Sequence, residues 1–255
     1  MSGVLTEPDR QSFAEQGWLI FDTGIASGVI DRARGDASAA IAARPYDPES
    51  PNRIQDAWRA SRAVHDVAIA LGVLAVLREA YGREPRPFQT LNFEVGTEQQ
   101  AHADTVHFNS RPAGFMCGVW VALEDIDESS GPVFYLTGTH RWPELAPADW
   151  DAPPGTEHYD RYEAHVARQV AEAGIEPVAA LLRKGEALLW AGNLLHGGSP
   201  RLDPERTRHS QVTHYFFEGC EYWTPLRSSA EHTEWRQPKF IPTRSSRRLL
   251  RPLGH

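Results

Sequence analysis

From residue 85 onward the chain is written in short apolar or alternating runs separated by Gly, Pro, Asn and Asp. The runs are Phe88 to Val95, Phe115 to Leu123, Val133 to Leu136, Ala179 to Leu182, Glu186 to Trp190 and Ser210 to Glu218. Such a pattern predicts an all-β sandwich or barrel. The linkers agree: Glu124 to Ser130 is acidic, Gly131-Pro132 is a turn, and Gly138-Thr139-His140 ends a strand. Residues 141 to 178 interrupt the pattern. Pro143 to Gly155 is rich in Pro and Asp, and Glu157 to Ala173 has helical periodicity with Tyr159, Tyr162, Val166 and Val170 on one side. An insertion this long in a compact domain is expected to be a lid or binding element.

The N-terminal part is helical. Thr6-Glu7-Pro8-Asp9 is a helix-start signal, followed by a short strand from Trp18 to Phe21 and a helix from Ser27 to about Ala43. Residues 44 to 56 read as a loop. Apolar positions 67, 71, 74 and 77 recur at helical spacing from Val64 to Tyr81, and Gly82 ends that helix. The chain of 255 residues is expected to be one domain. Its parts are a helical layer over about 6–84, a β core over about 88–220 and a tail over 221–255.

Composition excludes several classes. The net charge of −8 is spread without runs, and the basic cluster Arg244, Arg247, Arg248 and Arg251 reads as a solvated tail, so no nucleic-acid partner is expected. Cys117 and Cys220 are too few for a disulfide framework or thiolate metal site, which suggests a reducing, cytoplasmic location. Met1 to Pro8 lacks a secretion signal, and the longest apolar run, Val67 to Leu77, falls short of the ~20 residues that span a bilayer. No membrane association is expected.

Chemistry concentrates in Gln99-Gln100-Ala101-His102-Ala103-Asp104. On extended backbone, His102 and Asp104 point to one face and can chelate one ion. Among 11 histidines an H-x-D pair is a common chance match. Context raises it: His196, in Leu194-Leu195-His196-Gly197-Gly198 on a late strand, would complete two imidazoles and one carboxylate on one face of a metal. That set suits non-haem Fe(II), with positions open for a bidentate cosubstrate and oxygen. A 2-oxoglutarate cosubstrate needs a guanidinium for its distal carboxylate. Arg201, Arg206 and Arg208 compete for that role. Arg208 is preferred because it shares a strand face with Ser210, whereas Arg201 and Arg206 flank an acid-rich loop.

The chain also resembles a known family. The order Phe88-Gln89-Thr90-Leu91-Asn92-Phe93, His102-Ala103-Asp104, Gly118-Val119-Trp120-Val121-Ala122-Leu123-Glu124-Asp125, Ser130-Gly131-Pro132-Val133, Gly138-Thr139-His140-Arg141 and Leu188-Leu189-Trp190 through His196-Gly197 is similar to the phytanoyl-CoA dioxygenase family. The resemblance runs from about residue 7 to 218. It implies a double-stranded β-helix (a cupin-like jelly roll) with N-terminal helices, iron held by His102, Asp104 and His196, and 2-oxoglutarate held by Arg208. The reaction it implies consumes O2 and 2-oxoglutarate, releases succinate and CO2, and hydroxylates or otherwise oxidises a small molecule, as in specialised metabolism. Halogenating members carry Gly or Ala where this chain has Asp104, so Asp104 implies oxygenation.

Gln89 and Thr90 lie where the family contacts cosubstrate or substrate, and Ser210 accompanies Arg208. His107, Asn109 and Arg111 follow the metal motif and are expected to touch substrate. His140 is expected to be structural, Trp120 and Trp190 to belong to the core, and His214, in phase with Arg208, to point inward or pack. The competing reading is a cupin-like enzyme or small-ligand binding protein that does not use 2-oxoglutarate. A cupin would be expected to show H-x-H with a following Glu, which this region lacks.

Overall fold

A computed structural model describes residues 4–45, 47–48, 51–153, 155 and 158–243. Thr6 opens α1 (Glu7–Gln16) with a reciprocal cap: its hydroxyl accepts from the Asp9 N–H, and the Asp9 carboxylate accepts from the Thr6 N–H. β1 (Trp18–Asp22) and α2 (Ser27–Ala43) follow where the pattern places them. The predicted helix over 64–81 is instead two, α3 (Arg62–Ala68) and α4 (Leu71–Tyr81). Ile69 closes the first, and Ala70 is extended, with ψ of 131°. The break lets α4 start against β1's exit: a Cβ on Gly72 would lie 2.4 Å from the Thr23 carbonyl oxygen. Leu71, counted on the apolar stripe, is consequently exposed.

The predicted loop over 44–56 contains β2 (Arg53–Gln55). The remaining strands are β3 (Pro85–Phe93), β4 (Asn109–Arg111), β5 (Met116–Ala122), β6 (Val133–Tyr135), β7 (Val178–Ala179), β8 (Glu186–Ala191), β9 (His196–Gly198), β10 (Ser210–Phe217), β11 (Glu221–Trp223) and β12 (Trp235–Arg236). The predicted strand over 179–182 shrinks to β7. β3 starts three residues earlier than expected and takes in two prolines. They are tolerated because β2 covers only Leu91 to Phe93, so the first half of β3 has no strand on that side and needs no ladder donor there.

Six strands form an antiparallel sheet in the order β1-β8-β5-β10-β3-β2, faced by the small sheet β7-β6-β9, and β12-β11-β4 makes a third. The result is the expected mainly-β jelly roll with flanking helices. Alternation along the central strands divides the core. Cys117, Val119, Val121, Leu189, Tyr215 and Phe217 pack under the helices, while Trp120, Leu188, Trp190 and Val212 face the small sheet. Part of the predicted tail belongs to the fold. β11 pairs with both β4 and β12, and Ile241 is buried, its N–H donating to the Pro87 carbonyl. The basic cluster at Arg244, Arg247, Arg248 and Arg251 lies outside the described residues.

α5 (Tyr159–Ala173), in the insertion, buries Tyr162 and Val166 against Ala103, Val106, Leu136 and Leu195, the face its periodicity predicts. The Tyr162 hydroxyl accepts from the Ala103 N–H at 2.8 Å, so the insertion is fastened to the H-x-D motif itself.

Gly118, at the sheet centre, lies under the Trp190 indole, where a Cβ would stand 2.3 Å from the ring. Gly118→Ala is expected to lower stability by about 1–3 kcal/mol through overpacking. Urea unfolding reads this directly, and an unshifted midpoint would show that the indole moves freely.

Candidate active site

The two histidines are joined before any metal enters. The His102 N–H donates to the His196 carbonyl and the His196 N–H to the His102 carbonyl, each at 2.9 Å. Their rings therefore leave neighbouring points of one short ladder, with centroids 4.5 Å apart. Nδ1 of His102 faces the Gln100 carbonyl at 2.9 Å, and Nδ1 of His196 faces that of Leu194 at 3.0 Å. A carbonyl only accepts, so both Nδ1 atoms carry the proton and both Nε2 atoms offer lone pairs.

Asp104 begins a 3-10 turn (Asp104–Val106) directly after the extended His102-Ala103 segment. Its Oδ1 lies 3.9 Å from His196 Nε2. One ligand atom from each of His102, Asp104 and His196 lies within 4.8 Å of the others, and all three residues are buried. The other carboxylate oxygen, Oδ2, accepts from Trp190 Nε1 at 2.7 Å and meets His214 Nε2 at 3.4 Å. The Trp190 ring also packs on the His196 ring, centroids 4.4 Å apart. Trp190 thus braces two of the three candidate ligands.

Electrostatics keep the set ready for a cation. Burial, reinforced by neighbouring His196, pushes the His102 imidazole down to about 3, so it is neutral at physiological pH. Burial alone would raise the Asp104 carboxyl, but the neighbouring imidazoles of His214 and His196 and the His214 hydrogen bond hold it well below the usual carboxylate range.

The triad opens on a cavity of ≈ 240 Å³ that runs to Arg208. Arg208 is 2% exposed and donates to Ser210 Oγ at 3.1 Å and to the Val95 carbonyl at 3.4 Å. The rings of Phe93 and Trp120 lie 5.6 and 5.5 Å from its Cζ. Its Nε has no partner, and among the described residues no carboxylate forms an ion pair with it. Burial lowers its pKa to about 10, opposed by Glu124, so it stays charged at neutral pH. A buried guanidinium without a counter-charge is costly. Its planar fork suits a carboxylate from outside the chain. The triad fits a divalent metal equally well: two preset imidazole lone pairs and one ionised carboxylate share one point.

Other predicted residues separate by strand alternation. Gln89 lines the cavity, its Oε1 3.0 Å from His214 Nδ1, but Thr90 faces away from it, its N–H bonded to Asp56. The pairing register of β3 and β10 shifts between His214 and Tyr215, a bulge that puts Phe88, stacked on Phe216, on the same face of the sheet as Gln89. His107 lines the cavity and stacks on Tyr159 with centroids 5.1 Å apart. Asn109 and Arg111 do not reach it: Asn109 donates to Glu144 at 2.8 Å, and Arg111 is exposed over the Trp235 ring. Both lie on β4, whose pairing with β11 carries them to the third sheet. Arg206 pairs with Asp127 and Arg201 donates to the Pro204 carbonyl, so of the three candidates Arg208 is the one that lines the cavity. His140 is structural, bonding the Ala14 carbonyl. Trp120 and Trp190 are core residues that also line the cavity. Sequence reasoning missed the indole–Asp104 bond and the Arg53 and Gln55 wall; in-phase placement with Arg208 was the signal for His214.

A jelly roll that carries two histidines and an aspartate beside a buried arginine has the site of a non-haem Fe(II)/2-oxoglutarate oxygenase. Within that class, the chain belongs to the phytanoyl-CoA dioxygenase (PhyH) family, which matches residues 15–210. Peroxisomal phytanoyl-CoA dioxygenase of Bos taurus is 28% identical over 141 residues, 52% of this chain and 38% of that protein. Phytanoyl-CoA dioxygenase domain-containing protein 1 of Danio rerio is 26% identical over 131 residues, 51% of this chain and 43% of that protein. The match thus spans less than half the length of these relatives. Among solved structures, the epimerase SnoN from nogalamycin biosynthesis, in complex with Fe3+, alpha ketoglutarate and nogalamycin RO, is 16% identical with a TM-score of 0.71, covering 92% of this chain and 98% of that one. EctD from S. alaskensis, with 2-oxoglutarate and 5-hydroxyectoine, is 16% identical with a TM-score of 0.69, covering 95% and 85%. At these identities the likeness is one of fold. Among the described residues no helix is long and apolar enough to cross a membrane.

Trp190→Phe keeps an aromatic, though smaller, ring and removes the donor to Asp104. Metal affinity is expected to fall roughly tenfold to a hundredfold, as for other outer-shell losses; Co(II) titration measures it, and unchanged affinity would reduce Trp190 to packing. The His102 shift sets a pH dependence. Between its ordinary 6.5 and about 3, the unfolded chain binds a proton there that the fold excludes, so the metal-free fold loses stability as pH falls through that window. At pH 5 the His102 share is about 2 kcal/mol. His102→Gln is expected to flatten the difference in urea midpoint between pH 7 and pH 5, and an unaltered slope would place the effect elsewhere.

Proposed function

We propose that this chain is an Fe(II)- and 2-oxoglutarate-dependent dioxygenase that hydroxylates, or otherwise oxidises, an unactivated C–H bond of a small-molecule metabolite. The observation that carries the reading is the pairing of a preset His102, Asp104 and His196 cluster with the buried, uncompensated Arg208 in one cavity. When bound, iron would activate O2, the oxidant, which takes two electrons from 2-oxoglutarate as that is cleaved to succinate and CO2 and two from the substrate C–H bond.

The residues divide the work. His102, Asp104 and His196 would hold the metal. Trp190 and His214 fix Asp104 through Oδ2, which favours ligation through Oδ1 alone and keeps positions free for cosubstrate and O2. Arg208 would take the distal carboxylate of 2-oxoglutarate, oriented by Ser210 and walled from water by Phe93 and Trp120. Gln89 and His107 face the remaining space and are assigned to substrate or to support of the centre. The uncompensated Arg208 favours this reading over a cupin-like protein without 2-oxoglutarate. Residues 1–255 are taken as one catalytic domain. The free thiols of Cys117 and Cys220 suit a cytoplasmic location.

Anaerobic addition of Fe(II) and 2-oxoglutarate is expected to produce a visible charge-transfer band, and O2 to yield succinate. Absence of both would refute the oxygenase reading. Asp104→Ala is expected to abolish iron-dependent succinate formation. Arg208→Gln is expected to raise the Kd for 2-oxoglutarate by roughly tenfold or more, the size of a charge-assisted contact, with Fe(II) binding retained.

A further inference from the structure

The peptide unit that leads from His102 toward Asp104 is held at both ends. Its oxygen, the His102 carbonyl, accepts from the His196 N–H at 2.9 Å, and its nitrogen, the Ala103 N–H, donates to the Tyr162 hydroxyl at 2.8 Å. The first bond comes from β9 and the second from α5 in the insertion. Ala103 is extended, with φ of −109° and ψ of 139°, and Asp104 starts the 3-10 turn directly after it. Rotation of this peptide plane would change ψ of His102 and φ of Ala103, and so the place of Asp104 relative to the two imidazoles. Trp190 and His214 steady the Asp104 carboxylate itself; Tyr162 acts on the main chain that delivers it.

Packing accounts for the ring of Tyr162 and not for its hydroxyl. The side chain is fully buried and meets Trp150 edge-on, with centroids 5.2 Å apart, a place that a phenylalanine would fill as well. The hydroxyl answers the need of the buried Ala103 peptide, whose N–H would be costly to leave without an acceptor. Burial pushes the phenol above its ordinary value, so the acceptor is neutral and sets no second negative charge beside Asp104. Along α5 only Tyr162 and Val166 are buried. One turn earlier, Tyr159 packs on the Tyr162 ring at 5.3 Å and stacks on His107, which lines the cavity. One helix thus touches both the metal motif and the cavity wall.

Building on the metal-site reading of the triad, we propose that Tyr162 is a positioning residue of the metal centre, and that α5 is steadied when a divalent cation binds. By fixing the peptide between His102 and Ala103, the hydroxyl holds Asp104 in register with the imidazoles before the ion arrives. Ordering of the ligand segment and docking of α5 share this hydrogen bond, so each favours the other by the same factor. Through Tyr159, the steadied helix also fixes the His107 ring at the cavity wall.

The test uses Co(II) alone, titrated into the full chain without 2-oxoglutarate and followed by its visible ligand-field bands. Tyr162→Phe keeps the ring and removes the acceptor, and its Kd for Co(II) is expected to rise roughly tenfold, as for other outer-shell losses. Val166→Ala loosens the same helix face but leaves the hydroxyl in place; it is expected to lower the thermal midpoint and to change the Kd less than Tyr162→Phe does. An unchanged Kd in Tyr162→Phe, or an equal loss in Val166→Ala, overturns the proposal. Hydrogen exchange gives a readout that needs no variant. Co(II) is expected to slow the amides of α5 and Ala103 by about fivefold or more relative to those of α2, which does not line the cavity. In Tyr162→Phe that slowing is expected to be lost, and unchanged α5 exchange in the unsubstituted chain also overturns the proposal. An unsubstituted chain that binds no Co(II) refutes the metal site and the proposal with it, whereas failure of 2-oxoglutarate to bind refutes only the oxygenase reading.

Discussion

The pair of backbone hydrogen bonds between His102 and His196 is the constraint on which the rest of the site depends. It joins two segments far apart in sequence at the atoms next to the candidate ligands. Ligand separation is thereby set by main chain and not by side-chain rotamers. Neighbouring bonds extend the clamp: Gly198 N–H to the Gln99 carbonyl, Leu136 N–H to the Leu195 carbonyl, and Ala103 N–H to the Tyr162 hydroxyl. With both Nδ1 protons tied to carbonyls, little reorganisation is left for metal binding.

The large sheet acts as a partition whose two faces are read by alternate residues. On β10, Ser210, Val212 and His214 face the cavity while Gln211, Thr213, Tyr215 and Phe217 serve the helical side. One strand therefore carries both the support of Arg208 and the imidazole that reaches Asp104. Their spacing is fixed by strand geometry. A one-residue slip would put the whole polar set under the helices. Cross-strand bonds such as Asn92 to Gln211, and Gln211 to the Val64 carbonyl, resist it by tying the sheet to α3.

Much of this was legible from residue order. Strand-length runs, the Thr6 cap and the in-phase placement of Arg208, Ser210 and His214 are local signals, and His102, Asp104 and His196 stood out because their types suit one chemistry. What stayed hidden depends on contacts that local pattern does not encode. β2 is three residues long and has no usable period, yet its register aims Arg53 into the cavity. Alternation in step with Leu91 and Phe93 decides that Gln89 and not Thr90 faces inward, and the register shift at Phe88 then puts that ring on the same face. The pairing of β4 with β11 draws Asn109 and Arg111 away although they follow the metal motif closely. Helical spacing ran unbroken through Ile69 and Ala70, and the break there answers to the Thr23 carbonyl packed against Gly72.

The charges of the cavity do not cancel within the protein. At one end, an ionised carboxylate sits among lone pairs of imidazoles held neutral or hydrogen-bonded, a place complementary to a cation. At the other, a guanidinium is buried with a hydroxyl and a carbonyl for company, a place complementary to an anion. Desolvating either charge alone costs several kcal/mol, more than a marginally stable fold readily tolerates without function. A metal ion satisfies the first end, and a small dicarboxylate that chelates the metal while its far carboxylate reaches Arg208 satisfies both. This physical complementarity, independent of any likeness to other chains, is why 2-oxoglutarate suits this cavity better than a neutral ligand does.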